Sequence, residues 1–244
     1  TIDKPFAYGV SVSGDNFTDR KTETRNLVMN FTHGVNTILI SPRRMGKTSL
    51  VHRAIEQIND DNIIPVFLDV YDCRDEYDFY NKFSEEIIRA SSSTVDAALR
   101  NVAEFIGRIS PKISVSPDLV NEYSISLGLT PKQIRPEEIL ALPEMLAKKR
   151  GKHLLICIDE FQQIGEFADS LTVQKKMRGV WQLQKNVSYC LFGSKKHMLE
   201  NIFQNKRMPF YQFGQMMYLG KIDQKDWVEY ITSRFEVTLL DMLL

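Results

Sequence analysis

The stretch TILISPRRMGKTSLVHRAIEQIN, Thr37 to Asn59, changes character twice. Apolar residues run to Ile40, a basic turn follows, and then Leu50, Val51, Ala54, Ile55 and Ile58 fall on one helical face. Strand, tight turn and helix are what a phosphate-binding loop requires, because backbone N–H groups converge on an anion where a helix begins. The pattern sought is G-x-x-x-x-G-K-[ST]. Gly46, Lys47 and Thr48 fill its last three positions, and Ser41 stands where the first glycine belongs. In this chemistry the lysine reaches the β- and γ-phosphates and the hydroxyl ligates Mg²⁺. Pro42 biases the residue before it towards an extended backbone, so Ser41 is expected at negative φ, where a side chain adds no strain. Ser41, Pro42, Arg43, Arg44, Met45, Gly46, Lys47, Thr48 and Ser49 form the expected nucleotide-binding loop. Arg43 and Arg44 add positive charge that faces either phosphate or solvent.

Working outward, five apolar runs read as buried strands: Asn36–Ile40, Ile63–Val70, His153–Ile158, Ser188–Phe192 and Gln215–Leu219. Short runs without alternation suit a parallel sheet covered on both faces. Helical stripes separate them. Tyr80, Phe83, Ile87 and Ile88 form one, and Val95, Ala98, Leu99, Val102, Phe105 and Ile106 another, with Ser92 or Ser93 as its expected N-cap. Pro136 starts a helix over Glu137–Lys149, Gly151 ends it, and Pro143 is expected to kink or split it. Val173, Met177, Val180 and Trp181 mark a further helix. The alternation predicts an α/β domain over residues 1–220: a doubly wound, mainly parallel five-stranded sheet with right-handed crossovers. SPKISVSPDLVNEYSISLGLTPKQ, Ser110 to Gln133, breaks the pattern and reads as an inserted β-hairpin. Residues 221–244 read as the start of a small, truncated helical subdomain, capped by Asp223, with Trp227, Tyr230, Ile231 and Phe235 as its apolar face.

HLLICIDEFQQI, His153 to Ile164, is a strand that ends in two carboxylates. Ligands of open α/β sheets sit at the carboxyl ends of the strands. There Asp159 would hold Mg²⁺, and Glu160 would orient or deprotonate an attacking water. The alternative is a surface acidic pair with no ligand. GKID, Gly220 to Asp223, only approaches a guanine-reading motif, because Gly220 has no side-chain amide. ATP and ADP are therefore favoured over guanine nucleotides, and a small-molecule kinase is the lesser alternative.

The chain has 244 residues and a formal net charge of zero, which excludes a surface that is basic throughout. Cys73, Cys157 and Cys190 are far apart and read as buried, reduced thiols of a cytoplasmic protein. The four histidines, His33, His52, His153 and His197, have no metal-ligand spacing. No window approaches the ~18 apolar residues of a membrane span, and Thr1 to Asp15 lacks the basic-then-apolar plan expected of a signal peptide.

Together SPRRMGKTSL and LLICIDEFQQI resemble the archaeal-type P-loop ATPases of the AAA+ and STAND group, akin to archaeal origin-recognition ATPases. PFAYGVSVSGDNFTDRKTETRNL is similar to the segment that such proteins place near the adenine. Phe17, Arg20, Glu23 and Leu27 match its positions, while Asp19 replaces the usual glycine. The resemblance implies that Ser194, in LFGSKKHMLENIF, stands where a polar sensor of the γ-phosphate would be. It also implies that Arg207 stands where an arginine finger could lie, the alternative being a solvated loop arginine. The expectation is an ATP-binding, Mg²⁺-dependent ATPase that works as a conformational switch. Its alternatives are a non-catalytic nucleotide-gated scaffold, and an initiator-like ATPase that meets DNA only through residues outside this chain. A protein partner or self-association would read the switch.

Overall fold

The computed structural model describes residues 20–109 and 135–232. The expected hairpin at 110–133, Phe17 and Phe235 lie outside the described residues.

The five expected strands form one sheet: β1 Thr37–Ile40, β2 Ile63–Asp69, β3 His153–Asp159, β4 Val187–Gly193 and β5 Gln215–Tyr218. Their spatial order is β2-β3-β4-β1-β5. Every pairing is parallel, so the sheet is wholly rather than mainly parallel. All strands therefore end on one edge. Neighbouring strands lie about 4.8 Å apart, so β1 and β3, with β4 between them, are separated by roughly 10 Å.

Both faces of the sheet are covered. Ile38, Ile40, Ile156, Ile158, Tyr189 and Leu191 point into one core with α3 Glu76–Ala90, α5 Pro136–Arg150 and α6 Ser170–Trp181. Leu39, Leu155, Cys157, Cys190 and Phe192 alternate with them and face α1 Lys21–Thr32 and α2 Lys47–Glu56. This explains the unbroken apolar runs: successive side chains point to opposite faces, and both faces are dry. Each such side chain contributes about 1.5–3 kcal/mol when fully buried, before conformational entropy is set against it. Cys157 and Cys190 sit side by side in register, and burial raises the Cys157 thiol well above its ordinary range. Beneath the other face Trp181 stacks on Tyr189 with ring centroids 4.1 Å apart. Phe161, Phe210 and Phe213 surround Trp181. On edge strand β2, Pro65 takes a place where no ladder N–H is needed.

Two local expectations are corrected. The cap of α4, Val95–Ile109, is Thr94 rather than Ser92 or Ser93, because Thr94 Oγ1 accepts the Ala97 N–H at 3.1 Å. Ser92 instead donates back to Ile88 O at 2.6 Å and receives Asn101 Nδ2 at 3.0 Å. Pro143 does not split α5, which runs unbroken to Arg150, and Gly151 ends it as expected. Glu144 accepts the Lys185 and Asn186 N–H groups at 3.1 and 2.9 Å, anchoring the helix to the start of β4. Residues 224–232 are helical, as expected, with Asp223 O accepting Trp227 N–H at 3.1 Å. The Trp227 and Ile231 side chains are exposed.

The N-cap of α3 gives the fold a direct test. Asp75 accepts the N–H groups of Tyr77 and Asp78 at 3.0 and 2.9 Å. Asp75→Ala should destabilise the protein by about 1 kcal/mol and lower Tm by roughly 2–4 °C in a circular-dichroism melt. An unchanged melt would contradict the assignment.

Candidate active site

The loop between β1 and α2 is built by two opposite backbone conformations. Ser41 is absent from the positive-φ residues, as expected from Pro42. Arg44, at φ 63°, and Gly46, at φ 76°, take the left-handed turns instead. Glycine adopts that conformation without penalty, whereas a non-glycine residue such as Arg44 carries about 1–3 kcal/mol of strain. Gly46 is the N-cap of α2 and offers no side-chain cap to the first helical N–H groups.

Lys47 is buried, at 7% exposure. Its Nζ donates to the carbonyls of Ser41 at 3.4 Å and Pro42 at 3.3 Å. Burial lowers its pKa, the charges of Asp159 and Glu160 oppose this, and Arg43 adds to the lowering. Thr48 Oγ1 donates to Asp159 Oδ2 at 2.7 Å, which closes the distance between the β1 and β3 ends. Asp159 also accepts the Glu160 N–H at 2.7 Å. Burial is the largest influence on Asp159 and raises its carboxyl; the Thr48 and Glu160 bonds pull it down, and the charges of Glu160 and Asp69 raise it further.

Glu160 follows in a left-handed conformation, φ 52°, and leads into a 3₁₀ helix over Phe161–Glu166. Ser194, one residue beyond β4, donates to Glu160 Oε2 at 3.0 Å. Gln162 Nε2 donates to the same oxygen. Neither Gln162 nor the left-handed Arg44 and Glu160 were foreseen. Hydrophobic periodicity carries no mark of them, and only the position of a glutamine two residues past the acidic pair offered a hint.

The remaining expected residues lie as follows. Pro42, Arg43 and Arg44 are exposed, Met45 packs against the core under α2, and Ser49 is buried. Arg20 is buried in a left-handed conformation. Its guanidinium bonds Glu23 at 3.1 Å and Gly220 O at 2.6 Å, tying the start of α1 to the segment leaving β5. Leu27 is core. Arg207 is exposed in the loop after α7, Lys196–Gln204. No bond links it to Lys47, Thr48, Asp159 or Glu160 among the described residues. Two cavities lie elsewhere. One of about 410 Å³ sits between α5 and α6, and one of about 510 Å³ lies at the amino ends of the strands, near Asn36 and Val187.

A parallel sheet of this order, with a lysine-bearing loop after β1 and an acidic pair after β3, defines the P-loop NTPase fold. No protein-family model matches the chain, and no curated protein matches it in sequence. Among solved structures it is similar to a Walker-type ATPase of Pyrococcus abyssi, with TM-score 0.64 and 17% identity over 94% of this chain and 61% of that one. It is also similar to the Aeropyrum pernix ORC2 protein, solved as ADPNP and ADP complexes, with TM-score 0.59 and 14% identity over 95% of this chain and 55% of that one. The Aeropyrum pernix ORC1 protein in complex with DNA gives TM-score 0.53 and 13% identity, over 91% of this chain and 50% of that one. The likeness is one of fold, and the chain spans between half and two thirds of these proteins. Among the described residues, no helix is long and apolar enough to cross a membrane.

The raised Asp159 pKa has a stability consequence. As pH rises, the unfolded chain releases this proton before the folded one, so the group's contribution to stability falls until the folded carboxyl ionises. The unfolding free energy of wild type relative to Asp159→Asn should therefore decline as pH rises through and above the ordinary carboxylate range, about pH 4, in urea titrations. A difference that grows with pH would contradict the buried-carboxylate account.

Proposed function

We propose that this domain binds ATP or ADP with Mg²⁺ and hydrolyses ATP, using the nucleotide as a conformational switch. The observation that carries the reading is the 2.7 Å contact of Thr48 Oγ1 and Asp159 Oδ2 beside buried Lys47. These two hard oxygen donors, one in the first turn of α2 and one at the end of β3, fit a small divalent cation, which takes one or two protein oxygens and completes its shell with phosphate and water. Mg²⁺ bound there would neutralise charge on the phosphates. The N-terminus of α2 and Lys47 bind and orient the phosphate chain, while the low-dielectric surroundings strengthen the lysine's attraction for it. Glu160 orients the attacking water and draws its proton, and Ser194 fixes the glutamate. Residues 224–232, joined to the sheet through the Gly220 segment that Arg20 holds, are the element such a switch would move.

Lys47→Ala should weaken ADP binding at least tenfold, about 1.4 kcal/mol or more, in isothermal titration. Glu160→Gln should bind ATP as wild type does and release phosphate about 100-fold more slowly. Equal, near-zero release from wild type and Glu160→Gln would instead support a non-catalytic nucleotide-gated scaffold.

The loop geometry makes a separate prediction. Ser41→Gly should change the ADP Kd by less than about threefold, because Ser41 needs no positive φ. Arg44→Val places a β-branched side chain at φ 63° and should weaken binding about tenfold or more. A large loss in Ser41→Gly with none in Arg44→Val would reverse the account of the missing glycine.

The DNA held by the Aeropyrum pernix ORC1 protein supports a second reading, in which the nucleotide domain serves a DNA-bound assembly. Salt-dependent retention of the full-length protein on duplex DNA tests it.

A further inference from the structure

We propose that Gln162 is a positioning residue for Glu160: with Ser194 it fixes one carboxylate oxygen, leaving the other for the attacking water. The proposal rests on the hydrolysis reading above.

Four observations carry it. Gln162 lies two residues past Glu160 in the 3₁₀ helix and is 2% exposed. Its Nε2 donates to Glu160 Oε2, the oxygen that also receives Ser194 Oγ at 3.0 Å. Two donors on one oxygen fix the plane of the carboxylate and draw charge onto that oxygen, while Glu160 Oε1 takes no hydrogen bond among the described residues. Gln162 Oε1 is buried and has no partner among the described residues, a desolvation penalty that an apolar side chain of the same size would avoid. Finally, Gly193 at the end of β4 makes room for this amide, since a Cβ there would overlap Gln162 Oε1. Gly193 does not have positive φ, so space rather than backbone conformation is what glycine supplies.

The amide has one workable orientation. Only its NH₂ end can face a carboxylate, and the carbonyl end is then left against the end of β4. The short 3₁₀ helix matters here because it turns the chain back at once. Residue 162 thus returns to the carboxylate that residue 160 presents. Glu160 itself sits at φ 52°, a conformation that needs support from its surroundings. Ser194 and Gln162 supply this support from the adjoining strand end and from the same turn.

The test compares steady-state ATP hydrolysis by wild type, Gln162→Met, Gln162→Ala, Gly193→Ala and the Gln162→Ala/Gly193→Ala double variant. Methionine keeps the volume and loses the N–H donor. Gln162→Met should lower kcat by about 10- to 100-fold, with KM for ATP and the ADP Kd within about twofold. Gly193→Ala should lower kcat in wild type and add little in the Gln162→Ala background, because the group it displaces is already gone. An active wild type with Gln162→Met at the same kcat, or fully additive losses in the double variant, would overturn the positioning role alone. A wild type without turnover would overturn the hydrolysis reading and the positioning role with it. A measurement independent of turnover is the ¹⁵N-resolved NMR signal of the Gln162 side-chain amide. It should be displaced downfield in wild type and move towards the solvent-exposed position in Glu160→Ala; an unmoved signal would contradict the contact.

Discussion

The hydrogen bond from Thr48 to Asp159 joins residues 111 positions apart, and the site depends on it. It can form only because β1 and β3 are parallel and end on the same edge with β4 between them. Thr48 lies in the first turn of α2 and Asp159 closes β3, so one contact sets the phosphate loop against the acidic pair. The two covered faces of the sheet make that edge rigid. Ile38 and Ile40 pack on one side, Leu39 on the other, and the strand ends cannot shift without disturbing both cores.

Several groups at this edge are held at some expense to stability. Lys47 and Asp159 are both disfavoured in their charged forms by burial. Arg44 and Glu160 are non-glycine residues in left-handed conformations. Gln162 leaves a buried oxygen without a partner. Strain and desolvation of this kind persist where the surroundings over-determine a geometry.

Much of the fold was legible in the sequence because its signals are local. Apolar runs such as LLICI and Ser188–Phe192 read as strands buried on both faces, and the phosphate-loop pattern fixed where β1 ends and α2 begins. Lys47, Thr48 and Asp159 stood out for the same reason: the first two open the helix after β1 and the third closes β3, in a recognisable spacing. What could not be read depends on contacts between distant segments. The capping of α4 by Thr94 was decided by the competing bonds of Ser92 with Ile88 and Asn101. The pairing of Arg20 with Gly220 brings together the start of α1 and the segment after β5, 200 positions apart, and no periodicity announces it. Gln162 was marked only by its place two residues past the acidic pair, since its fit against Gly193 involves a distant strand. Ser41 stands between these cases: Pro42 beside it foretold a negative φ, while the transfer of the left-handed turn to Arg44 appeared only in the structure.

The central claim is that the β1 and β3 strand ends form one nucleotide and metal site. It is tested most directly by a crystal structure with a non-hydrolysable ATP analogue and Mg²⁺. The account predicts the terminal phosphates over the N-terminus of α2 within reach of Lys47, with the metal beside Thr48 and Asp159. A nucleotide bound elsewhere, such as the cavity near Asn36 and Arg178, or none at saturating concentration, would contradict it.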